Sequence, residues 1–166
     1  DGKNRYRLGP FIFGCWARLM AEHKTPVGQR TVLGFDFGKK FIGVAVGQEV
    51  TGTASPLGSI KAKDGIPNQE QLKSFIEQWQ PDLFVVGLPL NMDGSSQQLT
   101  FDAKKFGNRL ANQYKISVEF QDERLTTADA KEQLFSHGGY RNLKKDNIDA
   151  ESARLIIESF FQTQYQ

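Results

Sequence analysis

The sequence predicts an α/β domain built on a mixed five-stranded sheet, three antiparallel strands followed by parallel ones, flanked by helices on both faces. Three observations predict it. Two β-rich runs, Thr31 to Phe37 and Phe41 to Gly47, are separated only by Gly38, Lys39 and Lys40, the spacing of an antiparallel hairpin. Leu83 to Val86 is a short continuous apolar run, the mark of a central strand buried on both faces. Around that run, apolar residues recur at helical spacing.

The elements follow in order. After the hairpin a third strand is expected within Gly52 to Ile60, and then a turn-prone stretch, Asp64-Gly65-Ile66-Pro67-Asn68. Leu72, Phe75, Ile76 and Trp79 describe one face of an amphipathic helix that Pro81 ends. The fourth strand, 83–86, empties into a polar, glycine-bearing loop, Gly87 to Gly94, at its carboxyl end. A second helix from about Ser96 to Tyr114 turns Leu99, Ala103, Phe106 and Leu110 inward. Ile116 to Phe120 reads as the fifth strand, Thr126 to Ser136 as a third helix and Ile148 to Gln162 as the last. Gly138 to Asn147 is left as the one long loop, and the chain shows no internal repeat or low-complexity tract.

With 166 residues and 39% hydrophobic content, the chain can bury one core and not two full-sized ones, so residues 31–166 are expected to form a single domain. Cys15 is the only cysteine, which excludes an internal disulfide and a cysteine-rich zinc site and fits a reducing cytoplasm. The longest apolar run, Phe11 to Ala17, is closed by Arg18 and falls short of the ~20 residues a membrane span needs, so no membrane partner is expected. Residues 1–30 read as an N-terminal extension. Met20 is the only methionine before the first strand and is the expected native start, with residues 1–19 an upstream, vector-derived or misassigned piece; intact mass of the protein made from its own gene checks this. A secretory leader, with Lys3, Arg5 and Arg7 as its charged start, is the rival reading, opposed by the short apolar stretch and the lack of a clear cleavage site. Residues 1–30 hold six bases against two acids, which leaves 15 bases and 17 acids in residues 31–166. Bulk charge therefore cannot be what grips nucleic acid; a local basic face or cations that offset the acids would be needed.

Three acids stand at element boundaries: Asp36 in Gly34-Phe35-Asp36-Phe37-Gly38, Glu123 in Asp122-Glu123-Arg124-Leu125-Thr126-Thr127, and Asp149 in Asn147-Ile148-Asp149-Ala150. Asp is disfavoured in strands, and Asp36 should face away from Phe35 and Phe37; it also reads as a strand-edge carboxylate or a turn former beside Gly38. Glu123 also reads as a surface charge next to a helix start capped by Thr126. Asp149 also reads as an acid favoured by the dipole in the first turn of the last helix, with Asp146 as its cap. Taken together they suggest more. Adjacent central strands would bring Asp36 to the end of the fourth strand, the fifth would deliver Glu123, and the last helix could present Asp149. Gathered carboxylates repel unless cations sit among them, and their oxygens are the hard ligands that Mg²⁺ and Mn²⁺ prefer. Two such ions ~4 Å apart can activate a water and steady the leaving oxygen in an in-line attack on phosphate. No protein nucleophile is then required, in keeping with histidines only at 23 and 137.

These motifs, with Gly43-Val44-Ala45, the loop Gly87 to Gly94 and the segment Asp149 to Glu158, resemble the YqgF family, also called RuvX, across residues 31–163. The resemblance implies a ribonuclease H-like fold, similar to junction resolvases of the RuvC type, and a bacterial cytoplasmic nuclease that matures the 5′ end of precursor 16S ribosomal RNA. Some relatives are discussed instead as Holliday junction resolvases. It implies that Asp36, Glu123 and Asp149 are the catalytic, metal-binding triad, and that Asn91, Arg124 and Thr126 are polar positions beside it, with Arg124 stabilising phosphate charge. The family usually has a small Thr after the first motif's glycine, where this chain has Lys39 and then Lys40. Lys39 would either contact phosphate or weaken the metal site. The family's basic central helix and final loop correspond to Lys104, Lys105, Arg109, Arg141, Lys144 and Lys145. These also read as a solvated face; with Tyr140 for stacking, the loop would make a substrate-gripping flap. The expected partner is nucleic acid, structured RNA or branched DNA, bound by a monomer or, for a resolvase, a symmetric homodimer. Two other classes compete. An Asp-x-Gly hairpin also opens the nucleotide-binding domains of the actin and sugar-kinase superfamily, but those use two such domains and this chain has room for one. A catalytically silent nucleic-acid-binding module would use the same cleft without turnover.

Overall fold

The structure, a computed structural model, describes residues 25–123 and 145–164, the first three of the latter segment by backbone alone. The expected extension up to residue 24, the helix Thr126 to Ser136 and most of the loop Gly138 to Asn147 lie outside the described residues.

The sheet has six strands, one more than expected: β1 (Thr31–Asp36), β2 (Phe41–Gln48), β3 (Thr53–Lys63), β4 (Ile66–Pro67), β5 (Leu83–Leu88) and β6 (Ser117–Asp122), in the order β4-β3-β2-β1-β5-β6. β1 to β4 pair antiparallel, and β1, β5 and β6 run parallel. The added strand comes from the stretch expected to be a turn only. Asp64 and Gly65 both take positive φ, 52° and 82°, which suits a two-residue hairpin whose twist matches the strands. Ile66 and Pro67 then pair with Lys63 and Ala62 at the sheet's edge, where proline's missing N–H costs no ladder bond to a further strand. β3 also runs three residues past the expected Ile60, and it carries Pro56 beside a bulge where the register shifts between Val44 and Ala45.

Three helices complete the described fold: α1 (Gln69–Trp79), α2 (Gln98–Tyr114) and α3 (Lys145–Gln164). Asn68 caps α1 by accepting from Gln71 N–H (3.1 Å), and Gln80, in the left-handed region, ends it just before Pro81. At the start of α2, Thr100 Oγ1 accepts from Gln97 N–H (3.0 Å) and donates to the Pro89 carbonyl, tying the helix to the β5 loop. α3 begins earlier than expected, so Lys145, Asp146 and Asn147 are helical and Asp149 stands in the second turn.

Strand alternation sends residues to two cores. Leu33, Phe35, Phe37, Val44 and Phe84 pack with Leu72, Ile76, Phe106 and Leu110 of α1 and α2. Val32, Ala45, Leu83 and Val85 pack with Ala153, Ile156, Ile157, Phe160 and Phe161 of α3. The central strands are thus buried on both faces, as their unbroken apolar runs require. The amino end of β1 is held by two carboxylates from its neighbours. Glu49, at the end of β2, accepts from Arg30 N–H (2.9 Å), Arg30 Nε (2.6 Å) and Gly28 N–H (3.2 Å). Asp82, entering β5, accepts from Thr31 N–H (2.9 Å) and Thr25 Oγ1 (2.7 Å).

Candidate active site

Asp36 is the last residue of β1 and shares side-chain parity with Val32 and Gly34, which places it on the α3 face, opposite Phe35 and Phe37. Its antiparallel partner is Gly43. Cross-strand partners point to the same face, with Cβ positions ~5 Å apart. A Cβ built on Gly43 would overlap the main-chain carbonyl of Asp149, so α3 crosses the sheet directly beside Asp36. On the other flank, Phe35 pairs with Val86 of β5, which sets Gly87 next to the carboxyl end of β1. A Cβ on Gly87 would meet Ile156 Cδ1 of α3 at 2.5 Å and Glu123 Oε1 at 2.6 Å. Glu123 directly follows β6 and folds its side chain back over β5 on this same face. The three acidic residues therefore stand on one face near the carboxyl ends of β1, β5 and β6, the edge where parallel sheets place their sites.

All three residues are partly buried, and Glu123 Oε1 and Asp149 Oδ2 are shut off from solvent. Among the described residues no group of three His, Cys, Asp or Glu is arranged to hold a metal ion as it stands. The donor chemistry nevertheless suits a hard divalent cation, since every donor is a carboxylate oxygen. The two glycines yield the space that side chains at 43 and 87 would fill to the main chain of Asp149 and to the side chains of Glu123 and Ile156. Gln121, buried on β6, donates through Nε2 to Ser159 Oγ of α3 (3.2 Å) and so ties the strand that carries Glu123 to the helix that carries Asp149. Gln121, Gly43 and Gly87 were not singled out as site residues in the sequence; their value depends on where α3 lands, which no local pattern encodes.

The remaining expected site residues are placed differently. Lys39 is exposed in the β1–β2 turn, its Nζ 4.0 Å from Asp102 Oδ2 of α2, which aims it toward the α2 face. Asn91 donates through Nδ2 to Ser95 Oγ (3.0 Å), and its N–H donates to the Ser95 carbonyl (3.0 Å), so its amide shapes the loop after β5. Lys145 opens α3. Arg124, Thr126, Tyr140, Arg141 and Lys144 lie outside the described residues. Arg154 of α3 is engaged by Glu151 (2.6 Å) and Glu158 (2.8 Å). Burial alone would lower its pKa, but the two glutamates outweigh that and raise it.

Comparison with known proteins gives the family and the fold. The family described as RuvX, Holliday junction resolvase, matches residues 30–163. The "Putative pre-16S rRNA nuclease" of Colwellia psychrerythraea is 74% identical over 147 residues, 89% of this chain and 99% of the relative. Relatives of the same name from Pseudoalteromonas translucida and Shewanella oneidensis are 64% and 60% identical, covering 84% and 82% of this chain and 94% and 96% of their own. Among solved structures, Thermus thermophilus RuvC in complex with a Holliday junction substrate superposes with a TM-score of 0.52 at 15% identity, covering 81% of this chain and 96% of its own. Fowlpox virus resolvase, solved with its Holliday junction DNA, gives 0.52 at 10% identity, covering 82% and 99%. At such identities the likeness speaks for the fold, and that fold is ribonuclease H-like.

Proposed function

The chain belongs to the RuvX family, and on that premise we propose that it is a metal-dependent hydrolase of nucleic-acid phosphodiester bonds whose substrate is the 5′ end of precursor 16S ribosomal RNA. The observation that carries this reading is the convergence of Asp36, Glu123 and Asp149 on one face at the carboxyl edge of the sheet. Three acids brought together by a strand end, a strand exit and a helix would repel one another in a purely structural role. Bound Mg²⁺ or Mn²⁺, two ions in the fullest case, would offset that charge and supply Lewis acidity to phosphate and water. Asp36, flanked by the other two, would be the shared ligand, with Glu123 and Asp149 completing the set. The rigid strand ends fix where a scissile phosphate must lie, and the half-buried setting limits bulk water around it.

Arg124 is assigned to phosphate charge, and Thr126, Asn91, Arg141, Lys144 and Lys145 to substrate contact, on the strength of the family resemblance; Lys39, where the chain departs from the family, is assigned to phosphate by its charge, and Tyr140 to stacking on the substrate. The family resemblance puts the reaction in the cytoplasm. A second reading, cleavage of branched DNA, is favoured by the family's description and by the junction complexes among its structural neighbours. It would require a symmetric dimer to place two centres on one junction.

The test sets a 5′-extended 16S precursor RNA beside a four-way DNA junction, with Mg²⁺ or Mn²⁺, and compares wild type with Glu123→Gln. RNA cut by wild type and spared by the variant is the expected result. Cutting of the junction alone would transfer the protein to recombination, and binding without cutting of either would make it a silent binding module.

A further inference from the structure

The face of the sheet away from the carboxylates carries a feature of its own. A cavity of about 170 Å³ opens on the opposite face of the sheet, between the β3–β4 hairpin, the start of α1 and the exposed side of α2. Its floor and wall are apolar, made by Phe37, Leu72, Phe106, Leu110, Ile66 and Pro67. Its rim is polar, with Asp64, Asp102, Lys105, Arg109 and Gln113. Gln113 Nε2 donates to Gln69 Oε1 (3.1 Å), which joins α2 to α1 at one side of the opening. Phe37 follows Asp36 in the chain but points to the other face, so cavity and carboxylates stand back to back across the carboxyl end of β1. Lys39 sits at the crossing, reaching toward Asp102.

We propose that this cavity receives one unpaired base of the nucleic-acid substrate, close along the strand to the scissile phosphate; the assignment rests on the nuclease reading above. The walls suit a base better than other small ligands. A simple anion has no use for an apolar floor, and an apolar ligand would leave the rim's charges desolvated. A base offers a flat apolar face to Phe37 and Ile66 and a polar edge to the rim, where Asp64 and Asp102 accept from amino groups and Arg109 donates. Lys105 and the neighbouring exposed Lys104 are placed for the flanking phosphates. The volume lies below the ~300 Å³ at which sites for drug-sized ligands begin, so one base fits and a base pair does not.

The experiment measures equilibrium binding, without divalent metal so that no cutting is needed, to an RNA duplex with a single-stranded 5′ tail in which each tail position in turn is abasic. Wild type is compared with Ile66→Ala and Arg109→Ala, both exposed positions, with thermal melts to show that each variant is folded. The expected result is one tail position at which removing the base weakens wild-type binding about tenfold. Both variants should weaken binding of the intact tail by a similar factor and leave that abasic tail unaffected. Uniform tolerance of abasic positions, equal weakening of intact and abasic tails by the variants, or no binding of the tailed duplex overturns the proposal. Metal-dependent cutting by wild type is scored separately. An abasic footprint without cutting would sink the nuclease reading and keep the base site, and cutting without a footprint would do the reverse.

Discussion

Gly43 and Gly87 govern how closely the three acids approach, because each leaves a gap that a neighbouring element occupies. At Gly43 the intruder is the backbone of Asp149, which can yield only if α3 shifts as a whole. Gly43→Ala should therefore cost the upper end of the ~1–3 kcal/mol typical of overpacking, visible as a lowered melting temperature, and abolish cutting by moving Asp149 off Asp36. At Gly87 the intruders are the ends of two flexible side chains, Ile156 and Glu123. Gly87→Ala should be milder in the same melt yet lose most metal-dependent cutting, since it is Glu123 that has to move. Equal stability loss in both, or full activity in Gly87→Ala, would show that the acids are not held by this spacing.

Among the elements, β1 is fixed at its amino end so that its carboxyl end can present Asp36. Burial pushes the Glu49 carboxyl up, but the hydrogen bonds and charge of Arg30 outweigh it and hold it below its ordinary value of 4.5. A depressed carboxyl contributes stability that is complete above its unfolded pKa and is lost as pH falls through the lower folded one. Urea midpoints compared at neutral and acid pH should thus fall less steeply below about pH 4.5 in Glu49→Gln than in wild type. At neutral pH, Glu49→Ala should cost ~3 kcal/mol by removing the buried carboxylate to which Arg30 and Gly28 donate. Which elements were legible in the sequence follows from their patterns. β1, β2, β5, α1 and α2 carry apolar runs or helical spacing long enough to read, and the parity of Asp36 followed from Phe35 and Phe37. β4 escaped because two residues, one of them proline, make no pattern; the Asp64-Gly65 pair was its only signal. The start of α3 escaped because Lys145, Asp146 and Asn147 add no apolar face. The approach of Asp149 to Gly43 could not be read at all, for it depends on a helix docking more than 100 residues away in the chain.

At the scale of the whole molecule, the acids hang on strands of unequal protection. β1 and β5 lie inside the sheet with a core on each face, whereas β6 is an edge strand with exposed Ser117 and Glu119. Native-state hydrogen exchange should accordingly show its slowest amides at Leu33 to Phe35 and Phe84 to Val86, with β6 and the Asn91 to Ser95 loop opening at lower free energy. Fast exchange in β1 would contradict the central role of that strand. The order of synthesis adds a consequence of α3. This helix brings both one wall of a core and Asp149, and it emerges after every other described element. A nascent chain on the ribosome that has not yet extruded residues 145–164 holds Asp36 and Glu123 but no third acid and no helix to cover their face. For a protein proposed to cut ribosomal RNA, the cutting centre is then assembled only after residues 145–164 have emerged, which withholds activity from any shorter nascent chain.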